Sequence, residues 1–370
     1  MSRARGGAAD ALVIDPGDGH GRSALAGVRA LAAAGRTVIV GAYGPVALAG
    51  ASRAAAATLR LPAPDEPGFD AAVAAAAADA GAVAVFPSAD EALVALRSPG
   101  YELVDKTTLA SRAVAAGIPT PSTMIVGSGE ELADRAAELS FPVVVKPALK
   151  AFPAKRYADP ASLAALAGID ARLIVQPALD GPIYAVGGVV REGRLVAAVH
   201  QRSLRTWPSP CGTASAAVTI DPDDDIEAAL MRLLDGFEGV FQAQFVGEQL
   251  VDLNPRLYGS LPLAVAAGAN LPAVWTDLLA GRDVRSHRAR PGVRYRWLEG
   301  DLRHVVGATR ARTMSAADAI RALLPHRATA HSVESIVDPR PMFTRLRMAR
   351  RRATRSPGAV SSSPPARSRR

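Results

Sequence analysis

The chain of 370 residues has one cysteine, Cys211, and only four lysines among its 43 basic residues. A single thiol has no intrachain partner, which excludes a disulfide scaffold. Cys211 sits between Pro210 and Gly212 with no neighbouring base, so it does not read as a nucleophile. The six histidines, at 20, 200, 287, 304, 326 and 331, have no metal-ligand spacing, which argues against a zinc site. No apolar run reads as a membrane span: the most apolar stretch, residues 71–86, is mostly alanine and carries Asp79 and Gly81. Arg3 and Arg5 are not followed by a long apolar segment, so no signal peptide is expected and a cytoplasmic location is the default. Aromatic residues make up 5%, yet 49% of the chain is hydrophobic, which excludes global disorder. At ~150 residues per domain the length suggests roughly two to three domains.

The formal charge is +8, but its location matters more than its size. Residues 345–370 hold nine arginines and no acid, leaving −1 on residues 1–344. The folded part is therefore near neutral. A basic terminus rich in Ser and Pro reads as a disordered tail over residues 346–370. No aromatic residue is interleaved with these arginines, which argues against a nucleic-acid partner. The four lysines are more informative, because all of them, Lys106, Lys146, Lys150 and Lys155, fall within fifty residues of the chain. An ammonium is a compact point charge suited to phosphate.

The first hundred residues alternate short apolar strands (11–14, 37–40, 82–86) with alanine-rich helices (22–34, 71–80). This rhythm predicts a doubly wound parallel α/β sheet. The glycine-rich first turn, residues 15–21, lacks the spacing of a dinucleotide fingerprint, and Gly41-Ala42-Tyr43 supplies no acid for a ribose. From residue 105 the pattern changes. Asp105 caps a helix that starts at Lys106, and Ser128 with Glu131 has capping-box spacing. Pro142-Val143-Val144-Val145-Lys146-Pro147 reads as a buried strand ending in a lysine, and residues 173–177 as another. A hairpin follows, with strands 184–190 and 195–201.

Residues 241–256 form the segment richest in chemistry. With Gly247-Glu248-Gln249 as a three-residue loop, Gln244 faces Asp252 and Gln242 faces Asn254 on one side of a ribbon. One carboxylate and several amide oxygens are hard donors suited to Mg²⁺, with phosphates completing its shell. The spacing alone fits equally well a polar strand face that meets water.

In order and separation, Asp105-Lys106, Val144-Val145-Lys146-Pro147, Val175-Gln176 before Gly181, and Asp252-Leu253-Asn254-Pro255-Arg256 before Gly259-Ser260 resemble the ATP-grasp superfamily. The resemblance covers about residues 10–285 and is greatest to the carbamoyl-phosphate-synthase-like branch. It implies an N-terminal pre-ATP-grasp domain (1–104), then a two-lobed α+β grasp module, with lobes 105–173 and 174–285, an appendage 286–345 and the tail. It implies ATP and Mg²⁺ as cofactors: Lys106 and Lys146 on phosphates, the backbone of Val175 and Gln176 at adenine, and Gln244, Asp252 and Asn254 on the metal. Arg256 would brace the transferring phosphate. Apart from the resemblance, Arg202 and, more weakly, Arg205 are candidates by their place after the hairpin to hold a substrate carboxylate or acyl phosphate, and Lys150 and Lys155 to replace the donors of the phosphate lid. The implied reaction joins a small carboxylate to an amine through an acyl phosphate, in a protein that can be a homodimer. Three departures stand out: residues 148–155 contain no glycine where the family has a glycine-rich lid, Ile183 replaces a ribose-binding acid, and Asp252 replaces a glutamate. They favour, as the alternative, a nucleotide-binding protein without turnover.

Overall fold

The computed structural model describes residues 8–148, 153–326 and 329–355. Its N-terminal domain is a parallel sheet of β1 (Ala11–Asp15), β2 (Val38–Ala42), β3 (Ala57–Arg60) and β4 (Ala84–Pro87), in the order β3-β2-β1-β4. Helices α1 (Arg22–Ala33), α2 (Phe69–Ala80) and α3 (Asp90–Ala95) complete it. β1 and β2 are buried throughout, as the continuous apolar runs of parallel strands require. The doubly wound expectation holds.

Helix α4 (Lys106–Ala115) starts at Asp105, whose carboxylate accepts from the backbone N–H of Thr107 and Thr108 at 2.8 and 3.2 Å. A second sheet of β5 (Met124–Val126), β6 (Val143–Pro147), β7 (Lys155–Tyr157) and β8 (Leu173–Pro177) is antiparallel throughout, in the order β5-β8-β6-β7. With α5 (Gly129–Asp134) it encloses a small core of its own around Val143, Val145, Leu132 and Leu173.

The third sheet holds β9 (Ile183–Arg191), β10 (Arg194–Trp207), β11 (Thr213–Ile220), β12 (Gly239–Val246), β13 (Gln249–Asn254), β14 (His287–Arg288), β15 (Arg294–Arg296) and β16 (Thr329–His331). Its order is β13-β12-β9-β10-β11-β15-β16, with β14 alongside β10. One face packs on α4 and α6 (Asp224–Leu233) through Phe241, Leu253, Leu109 and Leu230. α7 (Leu261–Ala266) and α8 (Leu271–Leu279) join this sheet to α1 in a core that includes Leu25, Leu257, Leu261 and Leu271. α9 (Leu298–Arg310), α10 (Ala316–Leu323) and α11 (Arg340–Arg355) complete the chain. No helix among the described residues is long and apolar enough to cross a membrane.

Three expected boundaries move. β8 pairs with both β5 and β6, so the first lobe runs through Pro177 instead of ending at residue 173. Residues 286–345 are not an appendage, because β14 and β15 pair with β10 and β11, and β16 extends the same sheet. The tail expected from residue 346 begins instead as helix: α11 reaches Arg355, anchored by Met342 against the main core and by Arg345 on Glu299. Residues 356–370 lie outside the described residues.

Candidate active site

The polar ribbon has the predicted register, Gln244 opposite Asp252 and Gln242 opposite Asn254. The turn that produces it is shorter than expected. Val246 pairs with Gln249 across the two residues Gly247 and Glu248, and Gly247 takes the positive φ (56°) that a tight hairpin turn needs. The extra residue is Val251, a bulge between the Gln244–Asp252 and Phe245–Leu250 pairs. A bulge frees backbone groups from the ladder. Here the Val251 carbonyl accepts from Nζ of Lys146 at 3.0 Å, docking the first lobe's strand lysine on the second lobe.

Lys106, from the first turn of α4, makes an ion pair with Asp252 Oδ1. Asp252 Oδ2 accepts from Asn254 Nδ2 at 3.3 Å, and Asn254 Oδ1 accepts from Arg256 Nη2 at 2.7 Å. Arg256, 6% exposed, donates through Nε to Asp90 Oδ1 at 2.5 Å and through Nη1 to the Leu257 carbonyl at 2.9 Å. Lys106, Asp252, Asn254, Arg256 and Asp90 thus form one unbroken polar line from the inter-lobe cleft to the N-terminal domain. Burial, and then the neighbouring charge of Lys106, pull the Lys146 ammonium down to about 8 against an opposing pull from Asp252.

At the far side of the cleft, Gln176 on β8 lies opposite Val144 and donates to Thr123 Oγ1 at 2.9 Å. Val175 turns its side chain into the small core, leaving only backbone to offer a ligand. Gln176, Lys106, Thr120 and Val251 share a narrow recess there. The Pro-rich loop after β10 reaches the first lobe: burial raises the Cys211 thiol, while Arg156 and Lys146 pull it the other way.

The polar line ends at a cavity of about 330 Å³ between the N-terminal domain and the third sheet. Gln201, Gln242 and Ser260 form its floor, with the Ser260 hydroxyl donating to Gln201 Oε1 at 3.1 Å and accepting from Gln242 Nε2 at 3.1 Å. The first loop of the N-terminal domain forms a wall, braced by Asp15, which accepts from the N–H of Gly17 at 2.8 Å and of Ala49 at 2.7 Å. Burial pushes the Asp15 carboxyl up to about 6, against the lowering pull of those N–H donors.

Two expected residues lie elsewhere. Arg202 is exposed on β10, and strand alternation sends it to the face opposite Gln201 and Ser203, which line the cavity. Lys155 is exposed on β7 with its ammonium 5.1 Å from the Tyr157 ring. Lys150 lies outside the described residues. Arg205, a weaker candidate, grips the buried Asp301 at 2.6 and 3.0 Å and is structural. Asp90 and Arg22 escaped sequence reading, while Ser260 was named only within the Gly259-Ser260 motif. Asp90 follows β4 and Arg22 follows the β1 loop, at the carboxyl ends of parallel strands, where doubly wound sheets bind ligands; that positional rule could have found both.

Residues 170–301 match the family described as "ATP-grasp in the biosynthetic pathway with Ter operon". Among solved structures, an ADP complex of N5-carboxyaminoimidazole ribonucleotide synthetase superposes with a TM-score of 0.61 at 14% identity, covering 83% of this chain and 85% of that one. The fold is an ATP-grasp fold. The N5-carboxyaminoimidazole synthetase from Staphylococcus aureus has a TM-score of 0.59 at 11% identity, with 77% and 80% of the two chains covered. An L-amino acid ligase from Bacillus licheniformis has a TM-score of 0.52 at 16% identity, covering 74% and 75%. Comparison with curated proteins gives no match. In the ATP-grasp module, the side chains of Gln244, Asp252 and Asn254 bring oxygen donors to one ribbon, which suits a hard cation. Asp252 is the sole carboxylate of that set, so oxygens from outside the protein, of phosphate or water, would complete any such shell. No cluster of three or more His, Cys, Asp or Glu residues exists among the described residues.

Proposed function

We propose that the chain is an ATP-dependent ligase that joins a carboxylate to an amine and releases ADP and phosphate. The observation that carries this reading is the line from Lys106 through Asp252, Asn254 and Arg256 to Asp90, which links the lysines of the inter-lobe cleft to the cavity. Lys106 and Lys146 bind ATP phosphates, and the backbone of Val175 and Gln176 meets adenine. Gln244, Asp252 and Asn254 would hold Mg²⁺, which when bound neutralises phosphate charge and aligns the triphosphate. A substrate carboxylate oxygen bonds to the γ-phosphorus as the bond to the bridging oxygen breaks and ADP leaves. The amine nitrogen then bonds to the acyl carbon, phosphate departs with the electron pair of the C–O bond, and the nitrogen loses a proton. Arg256, held by Asn254 and Asp90, keeps its guanidinium where charge on the transferring phosphoryl group grows.

A screen of ADP release over pooled carboxylates and amines, with mass detection of products, tests the proposal. Acid-dependent ADP release that Asp252→Asn abolishes supports it. ATP binding without release under any acid and amine overturns it in favour of a nucleotide-binding protein without turnover, a reading favoured by the glycine-free stretch 148–155 and the single carboxylate of the metal set.

A further inference from the structure

One cation of the cavity takes no part in the polar line. Arg22 opens α1 at the cavity wall, with its guanidinium 3.7 Å from the centre of the Trp297 ring. It donates to Tyr295 Oη at 3.3 Å and to Thr213 Oγ1 at 3.1 Å, both neutral oxygens. Arg29, Arg205, Arg256, Arg288 and Arg345 each pair with a carboxylate. Among the described residues none pairs with Arg22. The nearby acid, Glu299, is taken by Arg345 and by Arg303 at 2.8 Å. Arg345 places a second guanidinium 5.8 Å from the same ring, and the first turn of α1 contains no acid. Burial, joined by the like charge of Arg345, pulls the Arg22 guanidinium below its ordinary value, with Tyr295 and Glu299 pulling the other way.

A half-buried cation without a carboxylate partner carries a desolvation cost, and that cost is recovered when a ligand supplies the anion. At the other end of the cavity, Arg256 already has Asp90 as a counter-ion in the absence of ligand. We infer that the substrate seated in this cavity carries, beyond its reacting group, a second anionic group that binds Arg22 and survives the reaction unchanged. That group is a carboxylate or a phosphate, for which the guanidinium fork has three N–H donors beyond the two used on Tyr295 and Thr213. This inference rests on the ligase reading for its substrate but not for its site. The competing role for Arg22 is a tie between the N-terminal domain and the third sheet, which would need no ligand.

The test uses the full chain with MgATP and hydroxylamine, which traps an acyl phosphate as a hydroxamate. Acids are compared in pairs of matched skeleton: succinate with butyrate, glutarate with 5-hydroxypentanoate, and 3-phosphoglycerate with glycerate. A second arm offers amino acids and their amides as paired acceptors with the best acid found, to place the second anion on the acid or on the amine. Preference for the anionic member, lowered roughly tenfold to hundredfold by Arg22→Gln chiefly through KM and partly restored in Arg22→Lys, supports the inference. Equal use of both members of every pair overturns it. So does an Arg22→Gln variant that melts earlier with its preference intact. If no acid drives ADP release, the ligase reading fails separately, and the site is decided by thermal midpoint in millimolar succinate or inorganic phosphate. An upward shift that Arg22→Gln abolishes then keeps the anion site; no shift removes it.

Discussion

Lys146 is buried beside a second lysine, and its ammonium titrates at about 8. Because this value lies below the ordinary 10.5, the unfolded chain holds the proton more tightly than the folded one between those limits. Lys146 therefore opposes folding below about 8, and that opposition fades as pH rises toward 10.5. Phosphate oxygens would restore the charge. MgATP binding at and somewhat above pH 8 is expected to take up protons, read as a dependence of calorimetric heat on buffer ionisation enthalpy that Lys146→Met removes. Arg256 gives a second expectation at this scale, because it holds Asp90 and Asn254 at once. Arg256→Ala should lower the single-turnover rate per folded molecule by roughly 10²–10³-fold, about 2.7–4 kcal/mol by analogy with loss of one charge-stabilising donor. It should also cost stability, since Asp90 is left without its buried partner, by about 3–5 kcal/mol. An unchanged rate per folded molecule would leave Arg256 a brace alone. The sequence pattern revealed Arg256 but not Asp90, because the two lie 166 residues apart and ion pairing over that distance has no local signature.

Among the elements, the β12–β13 ribbon was the most legible, since period-two alternation placed Gln242, Gln244, Asp252 and Asn254 together before any fold was known. Its bulge was not legible. A three-residue loop and a two-residue loop with a bulge give the same facing pairs, and only the second frees the Val251 carbonyl for Lys146. Arg202 failed for the opposite reason: it was chosen by nearness to the hairpin, while alternation along β10 gives the cavity to Gln201 and Ser203. The first lobe supplies an element-scale test. A Cβ on Gly129, where α5 begins, would lie 1.7 Å from the Leu166 carbonyl oxygen. Gly129→Ala should cost about 1–3 kcal/mol. Hydrogen exchange should locate the loss over residues 124–177, with protection of the third sheet retained, because the first lobe has a separate core.

At the scale of the molecule, the segment before α11 closes on the N-terminal domain. Asp338 accepts from Arg29 Nε at 2.9 Å, Ser52 Oγ at 2.6 Å and the Arg53 N–H at 3.1 Å, fastening the segment before α11 to the N-terminal domain. Burial raises its carboxyl, but these donors outweigh burial and hold it below the ordinary range. Its contribution is full above pH 3.8 and is lost as the pH falls further. Asp338→Ala should lower the thermal midpoint at pH 7 and flatten its decline below pH 4. Truncation after residue 337 should reproduce the loss, and truncation after 355 should not. None of this was readable from the linear chain: the partners are hundreds of residues apart, and the composition that flags a basic tail does not reveal a helix packed by Met342 and Arg345. The parallel N-terminal sheet was readable, because short apolar strands and alanine-rich helices alternate along it.

The Lys106–Asp252 ion pair has a thermodynamic consequence for how the cleft fills. Free ATP can draw Lys106 to its phosphates only by taking it from Asp252, and a lone metal ion can claim Asp252 only by taking it from Lys106. Together they exchange one ion pair for two. Nucleotide and metal should therefore bind with positive coupling beyond their affinity in solution, equal in both directions by linkage. Lys106→Met, which removes the ion pair that either ligand must break, should weaken nucleotide binding and diminish that coupling in the same step.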